Sequence, residues 1–286
     1  MHKSSSARAM INMTRPKLIF AGEFIFSHDH ETRSHDALHK EYNVGMSAAN
    51  FLFHGRLNDF LHRDQTGQKI IINFTGRQSI KHLAESLGVP HPEIGRVQVN
   101  DQEEALGSIT QDGDQIEIYP IENGCLVEPR FLLDCHLGRL TAHLRMLGFD
   151  CLYQNDFDDP NMADIVQCEE RILLTRDRRL LMRKVISHGC CLRSLNSLEQ
   201  LTEVIQRFQL INKIQPFHRC LRCNHPLEAV DKDTIIDRLE PLTKQYFDKF
   251  HICPACGQIY WKGSHYERMQ KLIEKIISQG SDISNS

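Results

Sequence analysis

Two C-x-x-C pairs carry the most explicit chemistry in the sequence. C-L-R-C supplies Cys220 and Cys223, C-P-A-C supplies Cys253 and Cys256, and each pair is followed by a residue, Asn224 or Gly257, that tolerates the tight turn of a metal knuckle. Four thiolates so arranged suit a closed tetrahedral zinc site, structural because no position is left for water. Redox chemistry would usually use one pair beside a βαβ unit, so two separated pairs favour zinc. Tyr260, Trp261, Lys262, His265, Tyr266 and Arg268 follow the second pair. Such aromatics and cations either stack on single-stranded bases and neutralise phosphates or pack the knuckle, and His265 is a candidate general acid.

A second group of residues is acidic. R-F-L-L-D-C is an apolar run closing on Asp134, and R-I-L-L-T-R-D-R-R-L closes on Asp177 among Arg171, Arg176, Arg178 and Arg179. Asp156, Asp158 and Asp159 follow a third short apolar run, F-D-C-L-Y. Carboxylates gathered without compensation would repel and raise each other's pKa values. A hard divalent cation, magnesium or manganese, takes oxygen ligands and relieves that repulsion. Guanidinium groups nearby suit phosphate, which they bind through two parallel hydrogen bonds. Acids holding a metal among arginines describe a phosphodiester site. Each residue also has a plainer reading. Asp159 is a good helix cap, Asp177 could pair with its arginines, and Arg139, one turn beyond Asp134, could face solvent rather than phosphate. Gly138 could permit close backbone approach.

The elements that would position these acids alternate strictly. R-F-L-L-D is followed by the helical H-L-G-R-L-T-A-H-L-R-M-L-G, with Leu140, Leu144 and Leu147 on one face and Gly148 as its stop. After F-D-C-L-Y a helix opens with Asp159 at its N-cap and Pro160 at its first position. R-I-L-L-T-R-D, a helix over L-L-M-R-K-V-I, a strand at C-C-L-R-S-L and a helix over S-L-E-Q-L-T-E-V-I-Q-R-F complete the pattern. Strand–helix alternation implies a parallel sheet covered on both faces. Right-handed crossovers then put every carboxyl end, and hence Asp134 and Asp177, on the edge where open α/β sheets bind ligands.

Upstream, the order is β-β-α-β-β. F-L-F-H-G-R-L-N-D-F-L and Q-K-I-I-I-N-F-T-G are strands, and R-Q-S-I-K-H-L-A-E-S-L-G is a helix with Ile80, Leu83 and Leu87 inward. R-V-Q-V-N and D-Q-I-E-I-Y are further strands, with Asp112-Gly113 as a turn. This α+β order resembles the ubiquitin-like (β-grasp) fold near the sulfur-carrier type. The carrier chemistry is absent, because the chain runs on where a free Gly-Gly terminus would be needed. The unit therefore reads as a docking module for a protein partner.

The 286 residues suggest about two domains at roughly 150 residues each. A hydrophobic content of 41% and a charged content of 25% are those of a globular protein, and no apolar run reaches the roughly 20 residues that span a bilayer. A net charge of -3 argues against wholesale binding to nucleic acid, so any basic surface is local. Cysteines outside the C-x-x-C pairs are scattered, several in apolar segments as small buried hydrophobes. No cleavable signal peptide is evident, which makes the cytosol, where thiols stay reduced, the expected compartment. Residues 1–50 read as an extension, with Met46 a natural start for the folded part. Its His28, His30, His35 and His39 fit a solvated linker better than a metal site. The expected division is 1–50 extension, 51–121 ubiquitin-like, 128–215 nuclease-like, 216–269 zinc ribbon and 270–286 tail.

The run R-F-L-L-D-C-H-L-G-R-L-T-A-H-L-R-M-L-G-F-D, with R-I-L-L-T-R-D-R-R-L after it, resembles the RNase domain found at the C-terminus of the Mut-seven exonucleases. That resemblance covers roughly Glu128 to Arg268 and implies a PIN-like α/β nuclease with a zinc ribbon, often joined to an N-terminal ubiquitin-like domain. It implies RNA as substrate and magnesium or manganese as cofactor. It gives Asp134 the first acidic position, Asp177 a later one, and Asp159 the acid opening the helix after the second strand, with Asp158 and Asp164 as alternatives in D-D-P-N-M-A-D. Arg139, Arg176 and Arg178 are the candidate phosphate contacts. Two rivals stand beside a ribonuclease: a non-catalytic RNA-binding adaptor, and a phosphatase or receiver-like domain. The second is disfavoured because Asp134-Cys135-His136 lacks the D-x-D of dehalogenase-type phosphatases and no receiver lysine is evident.

Overall fold

The computed structural model describes residues 45–122, 124, 128–216, 218–264, 266–268, 270, 271 and 273–275, and for Asp159 the backbone alone. His28, His30, His35, His39, Cys125 and His265 lie outside the described residues.

The first sheet is built from β1 (Ser47–Phe53), β2 (Ile70–Phe74), β3 (Ile94–Val99), β4 (Gln102–Glu104) and β5 (Gln115–Pro120), with α1 (Ile80–Ser86) packed against it. The strand order β2-β1-β5-β3-β4, with β1 and β5 parallel at the centre, is the β-grasp arrangement. Ser79 starts α1 by accepting a hydrogen bond from the His82 amide, which satisfies one of the helix's unpaired N–H groups. Strand β4 was not expected from its polar Q-E-E. It pairs with β3 through a tight turn at Asn100 and Asp101, both left-handed, as a type I′ hairpin needs.

The second sheet contains β6 (Arg130–Leu133), β7 (Asp150–Leu152), β8 (Ile172–Thr175) and β9 (Gly189–Cys191), all parallel, in the order β7-β6-β8-β9. Helices α2 (Gly138–Met146), α3 (Asp159–Glu169), α4 (Arg178–Leu181) and α5 (Ser197–Arg207) follow the successive strands. Alternate strand residues divide between two cores, as the pleat requires. Phe131, Leu133, Leu174 and Cys190 pack with Leu140 and Leu144 of α2 and Leu201, Val204 and Ile205 of α5. Leu132, Leu173 and Cys191 face the other way.

That other face departs from the expected cover of helices. Met162 and Val166 of α3 and Leu180 and Leu181 of α4 share one continuous core with Phe51, Phe53, Ile116 and Ile118 of the β-grasp unit. The β-grasp unit thus supplies part of the sheet's second layer. Polar contacts fasten the join. Glu93, 1% exposed, accepts from the Cys191 amide at 2.7 Å and pairs with the buried Arg207 at 2.8 Å. The His91 ring meets the Ile186 carbonyl at 2.7 Å.

Two helix expectations are corrected. The helix after β7 is capped by Asp158, whose side chain accepts from the Asn161 amide at 2.9 Å, so Asp159 is its first turn rather than its cap. The helix expected over L-L-M-R-K-V-I is the four-residue α4, which starts earlier and ends at Leu181. Its remainder must fold down to bury Ile186 and return to β9, and Leu181 packs so close to Gly189 that a side chain there would collide at 2.4 Å. Of the scattered cysteines, Cys151, Cys190 and Cys191 are buried, Cys135 is half-buried and Cys168 is exposed.

The chain ends in a three-stranded antiparallel sheet, β10 (Glu228–Val230), β11 (Phe250–Ile252) and β12 (Ile259–Trp261), in that order. Helices α6 (Lys232–Ile235) and α7 (Pro241–Tyr246) fill the long insertion, and Ile235, Leu239, Phe250 and Ile259 form a small separate core. Among the described residues no helix is long and apolar enough to cross a membrane.

Candidate active site and zinc knuckle

The strand order reverses direction between β6 and β8. From β6 the chain steps outward to β7, then crosses back over β6 to reach β8 and continues to β9. Such a switch point opens a crevice at the carboxyl ends of its two strands, because the flanking connections leave to opposite sides. Asp134 directly follows β6 and Asp177 follows β8, so both expected acids lie at the carboxyl ends of the switch-point strands.

One hydroxyl links them. Thr175, the last residue of β8 and fully buried, donates to Asp134 Oδ2 at 2.6 Å. The Thr175 Oγ1 in turn accepts the Asp177 amide at 3.0 Å. Asp134 is itself 4% exposed, and its Oδ1 accepts the His136 amide at 2.7 Å. Asp177 is exposed and its carboxylate accepts the Arg179 amide at 2.8 Å, capping α4. Neither acid forms an ion pair with a described residue, so the plainer reading of Asp177 as a partner of its arginines is not what the structure shows. Thr175 was not among the expected site residues, because a threonine ending I-L-L-T reads simply as strand.

The arginines separate into different tasks. Arg171 is buried at the opposite edge of the sheet, where it pairs with Asp150 at 2.8 Å and with Glu169. Arg178 turns to the β-grasp unit. Its guanidinium donates to the Phe60 carbonyl at 2.8 Å and lies over the Phe60 ring, so it takes part in the join between the units. Arg139, on the first turn of α2, and Arg176 are exposed and pair with no described carboxylate. Tyr153, just past β7, completes the rim. Its hydroxyl donates to the Cys135 carbonyl at 3.0 Å and sits where a side chain on Gly138 would strike it at 2.7 Å, so the close approach expected at this glycine is made by Tyr153. Burial, together with the neighbouring Cys135 and Asp134, raises the Tyr153 pKa. Asp159 begins α3 on the same edge, after β7.

The four cysteines converge. Their sulfurs all lie within 4.8 Å of one another, with Cys220 and Cys253 buried. Each pair forms the same turn: the Asn224 amide donates to the Cys220 carbonyl at 2.9 Å, and the Gly257 amide to the Cys253 carbonyl at 2.8 Å. Both turns require the left-handed backbone found at Asn224 and Gly257. Burial opposes ionisation of Cys220. The Tyr260 hydroxyl and the Cys223 and Arg222 amides outweigh it and bring its pKa down to about 6. Four converging sulfurs with amide support fit a structural zinc ion. Of the aromatics beyond the pair, Tyr260 holds the first knuckle and Trp261 packs on Phe247 and Phe250.

The knuckle is bolted to the sheet. Arg145 of α2, 5% exposed, donates to the Leu221 and Arg222 carbonyls at 3.0 and 3.1 Å and to the Cys151 carbonyl of β7. The Asn224 side chain accepts the Cys151 amide at 3.0 Å and donates to Asp150 at 2.8 Å.

Residues 129–273 match the family model described as the Mut7-C RNAse domain, and residues 46–125 match the one described as Mut7-C ubiquitin. The chain belongs to the Mut7-C RNase family. Its Mut7-C domain match takes in both the parallel sheet and the cysteine knuckle, and the ubiquitin-like match takes in the β-grasp unit. No curated protein and no solved structure matches.

Proposed function

We propose that the chain is a metal-dependent ribonuclease that hydrolyses RNA phosphodiester bonds at the carboxyl edge of its parallel sheet. The observation that supports this reading is the Asp134–Thr175–Asp177 linkage at the switch point, where one buried hydroxyl donates to the Asp134 carboxylate and accepts the Asp177 backbone amide. The donors fit magnesium or manganese. They are oxygens, and no described cation neutralises either acid, as would be expected had they been built as ion pairs. Asp134 and Asp177 would hold the ion, with Asp159, the first residue of α3, as a further candidate ligand. Bound there, the metal supplies an activated water and charge stabilisation at the phosphoryl oxygens. Thr175 orients the Asp134 carboxylate, and Tyr153 fixes the turn that presents it. Arg139 and Arg176 have guanidinium groups free to grip phosphate.

Zinc in the four-cysteine knuckle holds the ribbon against α2 and β7, and a cytosolic setting keeps those thiols reduced. The ubiquitin-like unit leaves β2 as an edge strand bearing Ile71, 68% exposed, which suits pairing with a protein partner. The test is cleavage of fluorescent single-stranded RNA by the full chain with magnesium or manganese. Metal-dependent cleavage that disappears in Asp134→Asn is expected. RNA binding without cleavage by either protein would instead mark a non-catalytic adaptor.

A further inference from the structure

The same edge carries donors that the nuclease reading leaves unused. Asp134, Cys135 and His136 are consecutive, and a carboxylate oxygen, the Cys135 sulfur and an imidazole nitrogen lie within 4.8 Å of one another. Successive side chains on a strand diverge to opposite faces, so three neighbours meet only if the chain bends there. It does: β6 passes directly into a 3₁₀ turn over Cys135–Leu137. That turn is held by four hydrogen bonds. The Asp134 amide donates to the Leu174 carbonyl at 3.2 Å and the Leu137 amide to the Asp134 carbonyl at 2.9 Å. The Tyr153 hydroxyl donates to the Cys135 carbonyl, and the His136 amide to Asp134 Oδ1. The backbone is set before any ion arrives. His136 is exposed and Cys135 half-buried, so the triplet opens toward solvent on the imidazole side.

We infer that this triplet is a second metal site, selective for zinc, which overlaps the proposed nuclease site through Asp134. Thiolate, imidazole and carboxylate are the three ligand types zinc takes, and sulfur and imidazole donors bind it far more strongly than they bind magnesium or manganese. Three protein ligands leave one tetrahedral position for water, whereas the four-cysteine knuckle is closed. The triplet is therefore the weaker, exchangeable site. Binding deprotonates the Cys135 thiol and releases that proton to solvent. Zinc held there draws Asp134 away from the hard cation, so the loaded chain is switched off. This inference deepens the nuclease reading by naming a regulation of the same site, and metal binding tests it even in a chain that cuts no RNA.

The experiment is a cobalt(II) titration of the full chain, its knuckle first filled with one equivalent of zinc. Cobalt stands in for zinc and gives a thiolate charge-transfer band with tetrahedral d–d absorption. Wild type is expected to take one further equivalent with that band, and added zinc should displace it. Cys135→Ser should lack the band, and the exposed His136→Ala should bind at least about tenfold more weakly. No second equivalent in wild type, or equal titration by wild type and both variants, would overturn the proposal. Where RNA is cleaved, added zinc should suppress manganese-supported turnover in wild type more than in His136→Ala. Equal suppression would overturn the overlap with Asp134.

Discussion

Replacing Thr175 with valine isolates the hydroxyl that joins the Asp134 carboxylate to the Asp177 backbone amide. Valine matches threonine in shape, so a fully buried site keeps its packing and loses only polar contacts. Asp134 Oδ2 gives up a 2.6 Å donor, and a hydrogen bond to a charged group is worth about 1.5–3 kcal/mol net. The Asp177 amide loses its 3.0 Å acceptor, a neutral contact worth about 0.5–1.5 kcal/mol. Together they amount to about 2–4.5 kcal/mol, which for a chain of this size lowers Tm by roughly 4–18 °C. Groups that orient a metal ligand cost about 10–100-fold when removed, so manganese-supported RNA cleavage should fall by that factor. Thr175→Ser keeps the hydroxyl and sheds one methyl group, about 1 kcal/mol, and should keep most of the activity. Thermal unfolding and cleavage of fluorescent RNA across a manganese series read both effects. Thr175→Val matching wild type in both would show that the hydroxyl contributes nothing to stability or cleavage. Thr175→Ser as damaging as Thr175→Val would assign the effect to the methyl group.

Arg145→Met should strip the knuckle of its brace on the sheet, costing about 2–4 kcal/mol and speeding zinc loss to a chelator; a zinc off-rate equal to wild type would show the brace to be idle. Asp150 gives a pH signature. Burial opposes its charge, but the Arg171 guanidinium and the Asn224 amide prevail and hold its pKa below the usual carboxylate range. Since the unfolded value is about 3.9, the advantage of wild type over Asp150→Asn, about 1–3 kcal/mol, is complete above that pH and is lost as pH falls through the lower folded value. Urea unfolding at neutral and acid pH should show the gap narrowing, and a gap independent of pH would count against the ion pair. Arg176→Ala should weaken RNA binding and shallow its salt dependence by about one unit of slope. Arg178→Ala should leave the slope alone and lower Tm, because its guanidinium is spent on Phe60; the reverse pattern would exchange their roles.

Much of the site was legible because it rests on periodicity. Short apolar runs alternating with helical stretches dictate a parallel sheet, and a parallel sheet gathers the residues after its strands on one edge. Asp134 and Asp177 need only that rule to be found. The knuckle was legible for a similar reason, since both spacing and the following Asn224 and Gly257 are local. What escaped reading depends on long-range packing. Leu132 and Leu173 announce that a sheet face is buried, but not that the cover comes partly from Phe51 and Ile116 of another unit. Arg178 stands among other arginines in sequence and differs from them only because Phe60 comes to lie beside it. Thr175 looks like any β-branched strand residue until its hydroxyl is seen bridging the Asp134 carboxylate and the Asp177 amide. In D-D-P-N either aspartate satisfies the cap pattern, and the one-residue shift from Asp159 to Asp158 is set by where β7 releases the chain.

In the proposed mechanism Asp134 and Asp177 share one hard cation at the switch point. Manganese binding to the full chain, its four-cysteine knuckle alone filled with one equivalent of zinc, followed by the loss of the free-ion electron paramagnetic resonance signal, tests it without requiring turnover. Wild type should bind manganese, and Asp134→Asn and Asp177→Asn should each bind it at least about tenfold more weakly. Manganese held equally well by wild type and either variant would contradict a shared site.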